Sequence, residues 1–288
     1  MPIAKKTVLI TGCSEGGIGA AMAMAFSRQG FHVFATLRNT SRIGALAEIE
    51  DLEVLELEVT STESVARCVE HVRERTGGTL DVLVNNAGRG FLMPLLDVNI
   101  DAAKELFDIN VWGALIVTQG FAPLIINAKG AIVNHSSVAG NMLIPWKGIY
   151  TMSKAAVTQF SETLRVELEP LGVRVVTALI GAVHTRALEN SRSEEFKMPS
   201  DSYFNPARQS ILDEYTRIGY DRSEQVDVTA RRLVNDIVYG ATGRVWRGGS
   251  AKEAKWLTWL LPRWAMQKLT SKAMGLEDLT HYYTTSEK

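Results

Sequence analysis

Tyr150 and Lys154 lie four residues apart, at the start of a segment whose pattern predicts a helix. Positions i and i+4 share one face of a helix. An ammonium group near a phenol favours the phenolate, so we expect Lys154 to lower the pKa of Tyr150 from its usual value of about 10. Such a tyrosine can give a proton to a carbonyl oxygen or take one from an alcohol. A Tyr–Lys pair at this spacing is common by chance, so its meaning depends on the elements around it.

Ser137 lies thirteen residues before Tyr150, where an apolar strand predicted at 131–136 ends. In an open parallel sheet the ligand crevice lies at the carboxyl ends of the strands. We therefore expect the Ser137 hydroxyl to hydrogen-bond the same substrate oxygen that Tyr150 protonates.

A glycine-rich turn, Thr11–Gly19, joins the first predicted strand to a helix rich in Ala and Met. Glycines allow a tight turn and a close approach of backbone N–H groups, and the helix N-terminus adds about half a positive charge. Structural loops also contain three glycines, but the position between a strand and a helix favours a dinucleotide site.

Arg38 follows the second predicted strand, where an NAD enzyme usually has a carboxylate for the ribose 2′-hydroxyl. A guanidinium suits a 2′-phosphate, which it contacts by charge-assisted hydrogen bonds. This residue predicts NADP(H) rather than NAD(H). The alternative is that Arg38 is only a solvated loop charge.

Apolar, β-branched runs alternate with helical patterns along most of the chain. This alternation predicts an α/β fold with a single doubly wound parallel sheet, a Rossmann fold, and helices on both faces. Leu106, Asn110, Gly113 and Val117 form one stripe, which predicts a long helix. The predicted strands cover 7–11, 32–37, 54–59, 81–84, 131–136, 173–180 and, more weakly, 244–247.

Taken in order, these motifs resemble those of the short-chain dehydrogenase/reductase family over most of residues 5–190. The resemblance implies hydride transfer from NADPH to a ketone, with Tyr150 as the acid. It also implies that Asn110 supports a water chain and that Lys154 binds the nicotinamide ribose. The implied catalytic residues are Ser137, Tyr150, Lys154 and Asn110. The implied cofactor residues are Gly12, Ser14, Gly17, Ile18, Gly19, Arg38, Glu58, Val59, Asn86, Ala87, Gly88, Tyr150, Lys154, Val183 and Thr185.

The chain departs from the family pattern at three places. The glycine turn has one extra residue, which puts its phosphate geometry in question. Glu58-Val59 stands where Asp-Val usually contacts the adenine, and we expect the longer acid still to reach. Ile180-Gly181 replaces Pro-Gly, so we expect a less rigid loop before Thr185, whose contact with the carboxamide should be kept.

Residues 186–222 are polar and mixed, and we interpret them as a substrate-lid insertion within a catalytic domain at 1–248. Tyr203 and Phe204 in this insertion are candidate substrate contacts, together with Trp146 and Ser137. A loop tryptophan can equally serve as a packing anchor, and surface loops also use aromatic residues.

The segment 249–288 is a C-terminal extension in which Trp256, Trp259 and Trp264 stand among basic residues. Such a composition suits an interfacial membrane segment, but the same residues could pack on the body or across a subunit interface. The extension resembles that of a fungal subgroup, the NADPH-dependent 1-acyl-dihydroxyacetone-phosphate reductases. That resemblance implies an apolar or acylated ketone, either lipid, steroid-like or polyketide-type. It also implies a cytoplasmic protein, peripheral to the endoplasmic reticulum or lipid droplets.

Composition limits the remaining possibilities. The 288 residues carry a formal net charge of −1, which argues against a nucleic-acid partner. Two cysteines fit a reducing compartment, and the histidines show no metal-ligand spacing. We expect no membrane-spanning helix and no signal peptide, and the family resemblance implies a homodimer or tetramer through helices around 101–126 and 150–170. An NADP-binding scaffold and a non-redox biosynthetic enzyme remain as alternative functions.

Overall fold

The computed structural model describes residues 3–185, 196–217 and 223–285. Its centre is a seven-stranded parallel sheet with the strand order β3-β2-β1-β4-β5-β6-β9, which confirms the predicted doubly wound fold. The strands of this sheet are β1 (Thr7–Thr11), β2 (His32–Leu37), β3 (Leu52–Glu56), β4 (Val82–Asn85), β5 (Ala131–Ser137), β6 (Arg174–Ile180) and β9 (Gly243–Arg247). A separate two-stranded parallel ladder, which the sequence pattern did not predict, pairs β7 (Val183–His184) with β8 (Glu224–Gln225).

Helices cover both faces of the sheet. The described helices are α1 (Ile18–Arg28), α2 (Thr62–Thr76), α3 (Ile100–Phe107), α4 (Gly113–Ala128), α5 (Gly148–Leu168), α6 (Arg208–Arg217), α7 (Val226–Val238), α8 (Ala251–Leu260), α9 (Arg263–Ala273) and α10 (Leu276–Thr285). Helices α1 and α7 pack on one face, where Phe26 and Ile237 are fully buried. Helices α2, α4 and α5 pack on the other, where Val72 and Phe121 are fully buried. Strands β1 and β2 are buried along their whole length, as expected for a sheet covered on both faces.

The third strand begins two residues earlier and ends three residues earlier than the predicted 54–59. Leu57 still bonds to β2, through its N–H and the carbonyl of Leu37 at 3.1 Å. The chain then leaves the sheet, because the N–H of Glu58 donates to the Ser64 hydroxyl in the first turn of α2. The alternating Leu57 and Val59 therefore belong to a loop that enters the helix.

The predicted stripe from Leu106 to Val117 does not lie on one regular helix. A π-helical turn, Asp108–Trp112, separates α3 from α4 and contains Asn110. Turns of this type inside helices often occur at functional sites, because they redirect side chains without ending the helix.

A chain of buried polar side chains crosses the middle of the sheet. The amide of Asn85 on β4 donates to Thr118 on α4 and to Asn134 on β5, each at 2.8 Å. Asn134 in turn donates to Ser161 on α5 at 3.0 Å, and Ser161 pairs with Thr177 on β6. This chain ties three neighbouring strands to two helices.

The described part of the lid insertion packs against the C-terminal helices. Residues 186–195 and 218–222 of the predicted insertion lie outside the described residues. Ala207 and Ile211 are buried together with Trp146. Met274 and Leu279, from the C-terminal extension, pack against this cluster. The distal part of the extension therefore packs on the body, as one of the two sequence-based alternatives proposed.

Within the described residues, the continuous stretch Ile100–Ala128 is long and apolar enough to cross a membrane by length and composition alone. This criterion does not test the expectation that no helix spans a membrane, which stays a prediction. Val117, Phe121 and Ile125 of this stretch are fully buried in the core against the sheet, so it has the environment of a core helix.

Candidate active site

Tyr150 and Ser137 meet at the carboxyl end of β5. Tyr150 lies in the first turn of α5, and its phenol shares a hydrogen bond with the Ser137 hydroxyl. The hydroxyl of Ser137 donates to the carbonyl of Ile180 at 3.2 Å and accepts from the N–H of Ala139 at the same distance. Ser137 is therefore held on β5, β6 and the turn that follows, with its oxygen next to the phenol.

The pKa of Tyr150 shifts in the direction opposite to the prediction. Burial of the phenol raises this pKa above its usual value, and the hydrogen bond with Ser137 only partly opposes the shift. Lys154 Nζ lies 6.0 Å from the centre of the tyrosine ring, so its charge does not dominate. The phenol is neutral at physiological pH, the form that can donate a proton.

Lys154 is held by the main chain of β5. Its Nζ donates to the carbonyl of His135 at 2.9 Å, and burial lowers the pKa of Lys154 from 10.5 to about 8. The next residue on β5, Ser136, donates its hydroxyl to the carbonyl of Lys154 at 2.9 Å. The lysine is thus fixed at both its backbone and its ammonium group.

Asn110 links the π-helical turn to the loop after β4. Its amide oxygen accepts from the N–H of Arg89 at 2.9 Å, and its amide nitrogen donates to the carbonyl of Arg89 at 3.0 Å. The same nitrogen donates to Ser153 on α5 at 3.1 Å. A Cβ on Gly88 would lie 3.0 Å from Asn110 Oδ1 and 3.6 Å from Lys154 Nζ, so these three residues share one side of the crevice.

The extra residue of the glycine turn is absorbed by backbone geometry that favours glycine. Gly12 and Gly16 have φ values of +74° and +72°. Gly17 is the N-cap of α1, and its N–H donates to the carbonyl of Ser14 at 3.0 Å. Ile18 begins the helix. The turn therefore keeps a helix N-terminus at the crevice despite the insertion.

The loop after β4, which contains Asn86 and Ala87, is hydrogen-bonded to the glycine turn. Thr11 Oγ1 accepts from the N–H groups of Asn86 and Ala87, each at 2.9 Å, and Asn86 Nδ2 donates to the carbonyl of Thr11 at 2.8 Å. A Cβ on Gly19 would lie 2.5 Å from Asn86 Nδ2 and 2.6 Å from the carbonyl oxygen of Gly12. Only a bare backbone fits where α1 crosses this loop.

His135 on β5 is a further residue of the site. Its Nδ1 lies 2.8 Å from Asn86 Oδ1, and its carbonyl holds Lys154. Burial, together with the charge of Lys154, lowers the pKa of His135 to about 3, so the ring is neutral. His135 joins the glycine-turn support to the lysine. Its position two residues before Ser137 on the same strand face was the available signal.

Arg38 stands at the end of β2 with 78% of its side chain exposed. Its nearest carboxylate is Glu58, at 3.8 Å from Nη1. Glu58 is half-buried and accepts from Thr60, while Val59 packs against Gly113 at the start of α4. Arg38 is therefore available to an anionic ligand at the open end of the glycine turn.

The loop after β6 closes the other side of the crevice. The N–H of Gly181 donates to the carbonyl of Arg247 at 2.8 Å, and a Cβ on Gly181 would lie 2.1 Å from the carbonyl oxygen of Gly249. Val183 and Thr185 follow and are buried. The loop predicted to be less rigid is thus bonded to the segment after β9.

Besides Ser137, the three other candidate substrate residues have different environments. Trp146 is buried, donates its Nε1 to the carbonyl of Met274 at 3.0 Å, and meets the Phe204 ring edge-on at 5.4 Å. Tyr203 is 70% exposed, and its carbonyl accepts from the hydroxyl of Tyr283 at 2.8 Å. Their roles as substrate contacts stay predictions.

The arrangement fits a dinucleotide, because the bare glycine backbones and the N-terminus of α1 follow β1, Arg38 follows the neighbouring β2, and Lys154 is bonded to β5 of the same parallel sheet. In the described ranges, no three His, Cys, Asp or Glu side chains lie close enough to hold a metal ion. The groups available for chemistry are a hydroxyl, a neutral phenol and an ammonium.

Comparison with known proteins gives consistent matches. A family model described as short chain dehydrogenase matches residues 6–195. Short-chain dehydrogenase cctT of Talaromyces islandicus is 48% identical over 253 residues, which cover 88% of this chain and 89% of that protein. An NADPH-dependent 1-acyldihydroxyacetone phosphate reductase of Schizosaccharomyces pombe is 39% identical over 212 residues, or 73% of this chain and 71% of that protein.

Solved structures share the fold. A short-chain dehydrogenase from Streptomyces avermitilis aligns with a TM-score of 0.75 and 27% identity, covering 97% of this chain and 98% of that one. A short chain dehydrogenase from Burkholderia cenocepacia in complex with NADP aligns with a TM-score of 0.71 and 24% identity, covering 94% and 99%.

Proposed function

Because the chain belongs to the short-chain dehydrogenase family, we propose that it is an NADPH-dependent reductase that acts on a ketone in an apolar or acylated substrate. The observation that carries the proposal is the neutral Tyr150 phenol, hydrogen-bonded to Ser137 beside a lysine that β5 holds in place. A hydroxyl pair of this kind can bind and protonate a carbonyl oxygen.

NADPH, when bound, would supply the hydride. The glycine turn and the N-terminus of α1 would hold its pyrophosphate, and Arg38 would bind the 2′-phosphate, with Ser14 beside it. Lys154 would contact the nicotinamide ribose. Glu58 and Val59 would border the adenine, and Val183 and Thr185 the carboxamide. The names of two similar proteins support NADP(H): the Burkholderia structure contains NADP, and the Schizosaccharomyces reductase is NADPH-dependent.

The side chains would bind the carbonyl oxygen and supply its proton. Ser137 orients the carbonyl oxygen through its hydroxyl, and Tyr150 donates the proton to that oxygen. Lys154 keeps a positive charge near the phenol, so the phenolate formed after proton transfer is stabilised. Asn110, bonded to Ser153 and to the loop after β4, would support the return of a proton from solvent.

The raised pKa of Tyr150 keeps the phenol protonated, which is the form that acts as the acid in ketone reduction. A phenol that stays protonated at physiological pH is ready to act as an acid. Oxidation of an alcohol would need the phenolate, which burial disfavours.

The substrate proposal rests on the apolar cluster of the lid. Trp146, Met198 and Phe204 bring apolar surface close to the start of α5, and Leu92 and Met93 lie against the same cluster. A lipid, steroid-like or polyketide-type ketone would suit such a mouth. The Schizosaccharomyces protein, named for an acylated ketone, is consistent with this class.

The experiment is an assay of purified protein with NADPH and NADH against a panel of apolar and acylated ketones, with Tyr150→Phe as the matched variant. We expect NADPH consumption that the variant loses by roughly 10²–10⁴-fold, the usual contribution of a general acid, while NADPH binding is kept. Wild-type rates in the variant would contradict the role of Tyr150. Binding without any consumption would favour a scaffold, and product formed without net NADPH use would favour a non-redox enzyme.

We also propose that the protein is cytoplasmic and a homodimer or tetramer through α3, α4 and α5. This face carries exposed apolar side chains, among them Ile100, Trp112, Met152 and Val166. Light scattering coupled to size-exclusion chromatography would measure the subunit count, and a monomeric mass at micromolar concentration would contradict it.

A further inference from the structure

Helices α8 and α9 present large apolar side chains to solvent. Trp256, Trp259, Leu260, Trp264 and Leu269 are between 54% and 75% exposed, and we call these exposed side chains of two consecutive helices the Trp face. The opposite sides of the same helices are anchored, because Ala251, Ala254 and Met266 are buried. Both helices therefore pack on the body and still expose these side chains.

The Trp face lies among positive charges. Across α8 and α9 the sequence has one acidic residue, Glu253, against five basic residues: Lys252, Lys255, Arg263, Lys268 and Lys272. None of these five cations is paired with a carboxylate of another described residue. The local charge is clearly positive in a chain whose formal net charge is −1.

We propose that the Trp face docks on an anionic lipid surface. Tryptophan is suited to the boundary between acyl chains and headgroups, and basic residues at the rim are attracted to anionic headgroups. A second copy of this chain fits less well, because a symmetric dimer brings the same surface of both subunits together and would oppose like charges.

The position of the Trp face relative to the lid gives the docking a functional consequence. The carbonyl of Met274, just after α9, accepts from the indole of Trp146, which packs against Phe204 of the lid, and the Tyr283 hydroxyl of α10 donates to the carbonyl of Tyr203 in the lid itself. Docking would bring this region near the bilayer. A ketone dissolved in the membrane could then reach the crevice directly, a step that rests on the proposed function.

The test is flotation of the full chain with vesicles of phosphatidylcholine alone and of phosphatidylcholine with one-third phosphatidylserine. We expect flotation with the anionic vesicles, reduced at least tenfold in the double variant Trp259→Ser/Trp264→Ser. The charge variant Lys255→Glu/Lys268→Glu should lose flotation to a similar extent, and added salt should weaken it in the wild type. The matched control is Tyr239→Ser, which removes an 83% exposed aromatic side chain outside the Trp face.

Circular dichroism of each variant separates docking from misfolding, and flotation does not depend on activity. Equal flotation of the Trp double variant and the wild type would overturn the proposal, as would no flotation of the wild type. A dimer in solution that the Trp double variant disrupts would identify a second copy as the occupant and would overturn it too. A reductase that fails to float keeps the proposed function and loses only the docking.

Discussion

The crevice and the Trp face differ in how their side chains are held. In the crevice, Ser137, Lys154 and Asn110 each bond to a main-chain group of a neighbouring element. On the Trp face, large side chains are exposed to solvent, and their helices are held by a few buried residues and by a hydrogen bond between Trp146 and Met274. Reactive groups are thus placed by the ends of buried strands, whereas the C-terminal helices offer a surface with no partner inside the described chain.

The largest effect on the crevice should come from Gly19→Ala. The new Cβ would meet the carbonyl oxygen of Gly12 and the amide of Asn86, both fixed by the sheet. We expect a loss of roughly 1–3 kcal/mol in the free energy of unfolding and the largest loss of NADPH binding among the variants considered. Fluorescence titration and denaturant unfolding measure the two effects.

Gly90→Ala is the matched control for that variant, because no atom lies within 4 Å of its added Cβ. If both alanine variants bind NADPH like the wild type, the glycine turn is not the pyrophosphate site.

The next largest effect should come from Arg38→Asp. Loss of the guanidinium and addition of a carboxylate should lower the preference for NADPH over NADH by about 10–100-fold, since charge-assisted hydrogen bonds contribute roughly 1.5–3 kcal/mol. The ratio of kcat/KM for the two cofactors measures it. Arg28→Asp, at the far end of α1, should leave the ratio unchanged; an equal change in both variants would exclude a specific contact.

The pH dependence tests whether Lys154 works as a charge. Burial lowers its pKa to about 8, so Lys154 is charged below this pH and neutral above it. The pKa of Tyr150 is raised, so the phenol keeps its proton over the same range. We expect kcat/KM for ketone reduction to fall on the alkaline side, about tenfold per pH unit beyond the pKa. Lys154→Arg should move this fall to higher pH, and a flat wild-type profile up to pH 10 would contradict the assignment.

The smallest effect should come from Trp146→Phe, at the contact between the body and the C-terminal extension. Trp146→Phe keeps an aromatic ring against Phe204 but loses the hydrogen bond to Met274. We expect a decrease of about 0.5–1.5 kcal/mol in the free energy of unfolding. Trp264→Phe, on an exposed ring, should cost nothing measurable. Equal unfolding of the two variants would show that the bond does not tie the extension to the body.

The sequence predicts well those features that depend on local pattern. The strands at 7–11 and 32–37 lie where their buried β-branched runs place them, and Tyr150 and Lys154 share a helix as the spacing requires. Parallel strands then bring their carboxyl ends together, so Ser137 meets Tyr150 without any long-range information.

Features that depend on distant parts of the chain could not be predicted in this way. The pKa of Tyr150 depends on how much of the phenol is buried, which spacing does not encode. The π-helical turn at Asn110 interrupts a stripe that reads as regular helix. The partner of Trp146 lies 128 residues further along the chain. The end of β3 was missed because Leu57 and Val59 continue the strand pattern after the chain has turned away.

The chain of hydrogen bonds through Asn85, Asn134 and Ser161 also favours the observed register of β5 against β4. If β5 slid by one residue against β4, Asn134 would point to the opposite face, and its partners would be stranded among apolar side chains. Each stranded amide or hydroxyl would cost roughly 1–3 kcal/mol. Such a slip would also carry Ser137 out of reach of Tyr150. Buried polar groups far from the reacting atoms therefore help to fix the geometry of the active site.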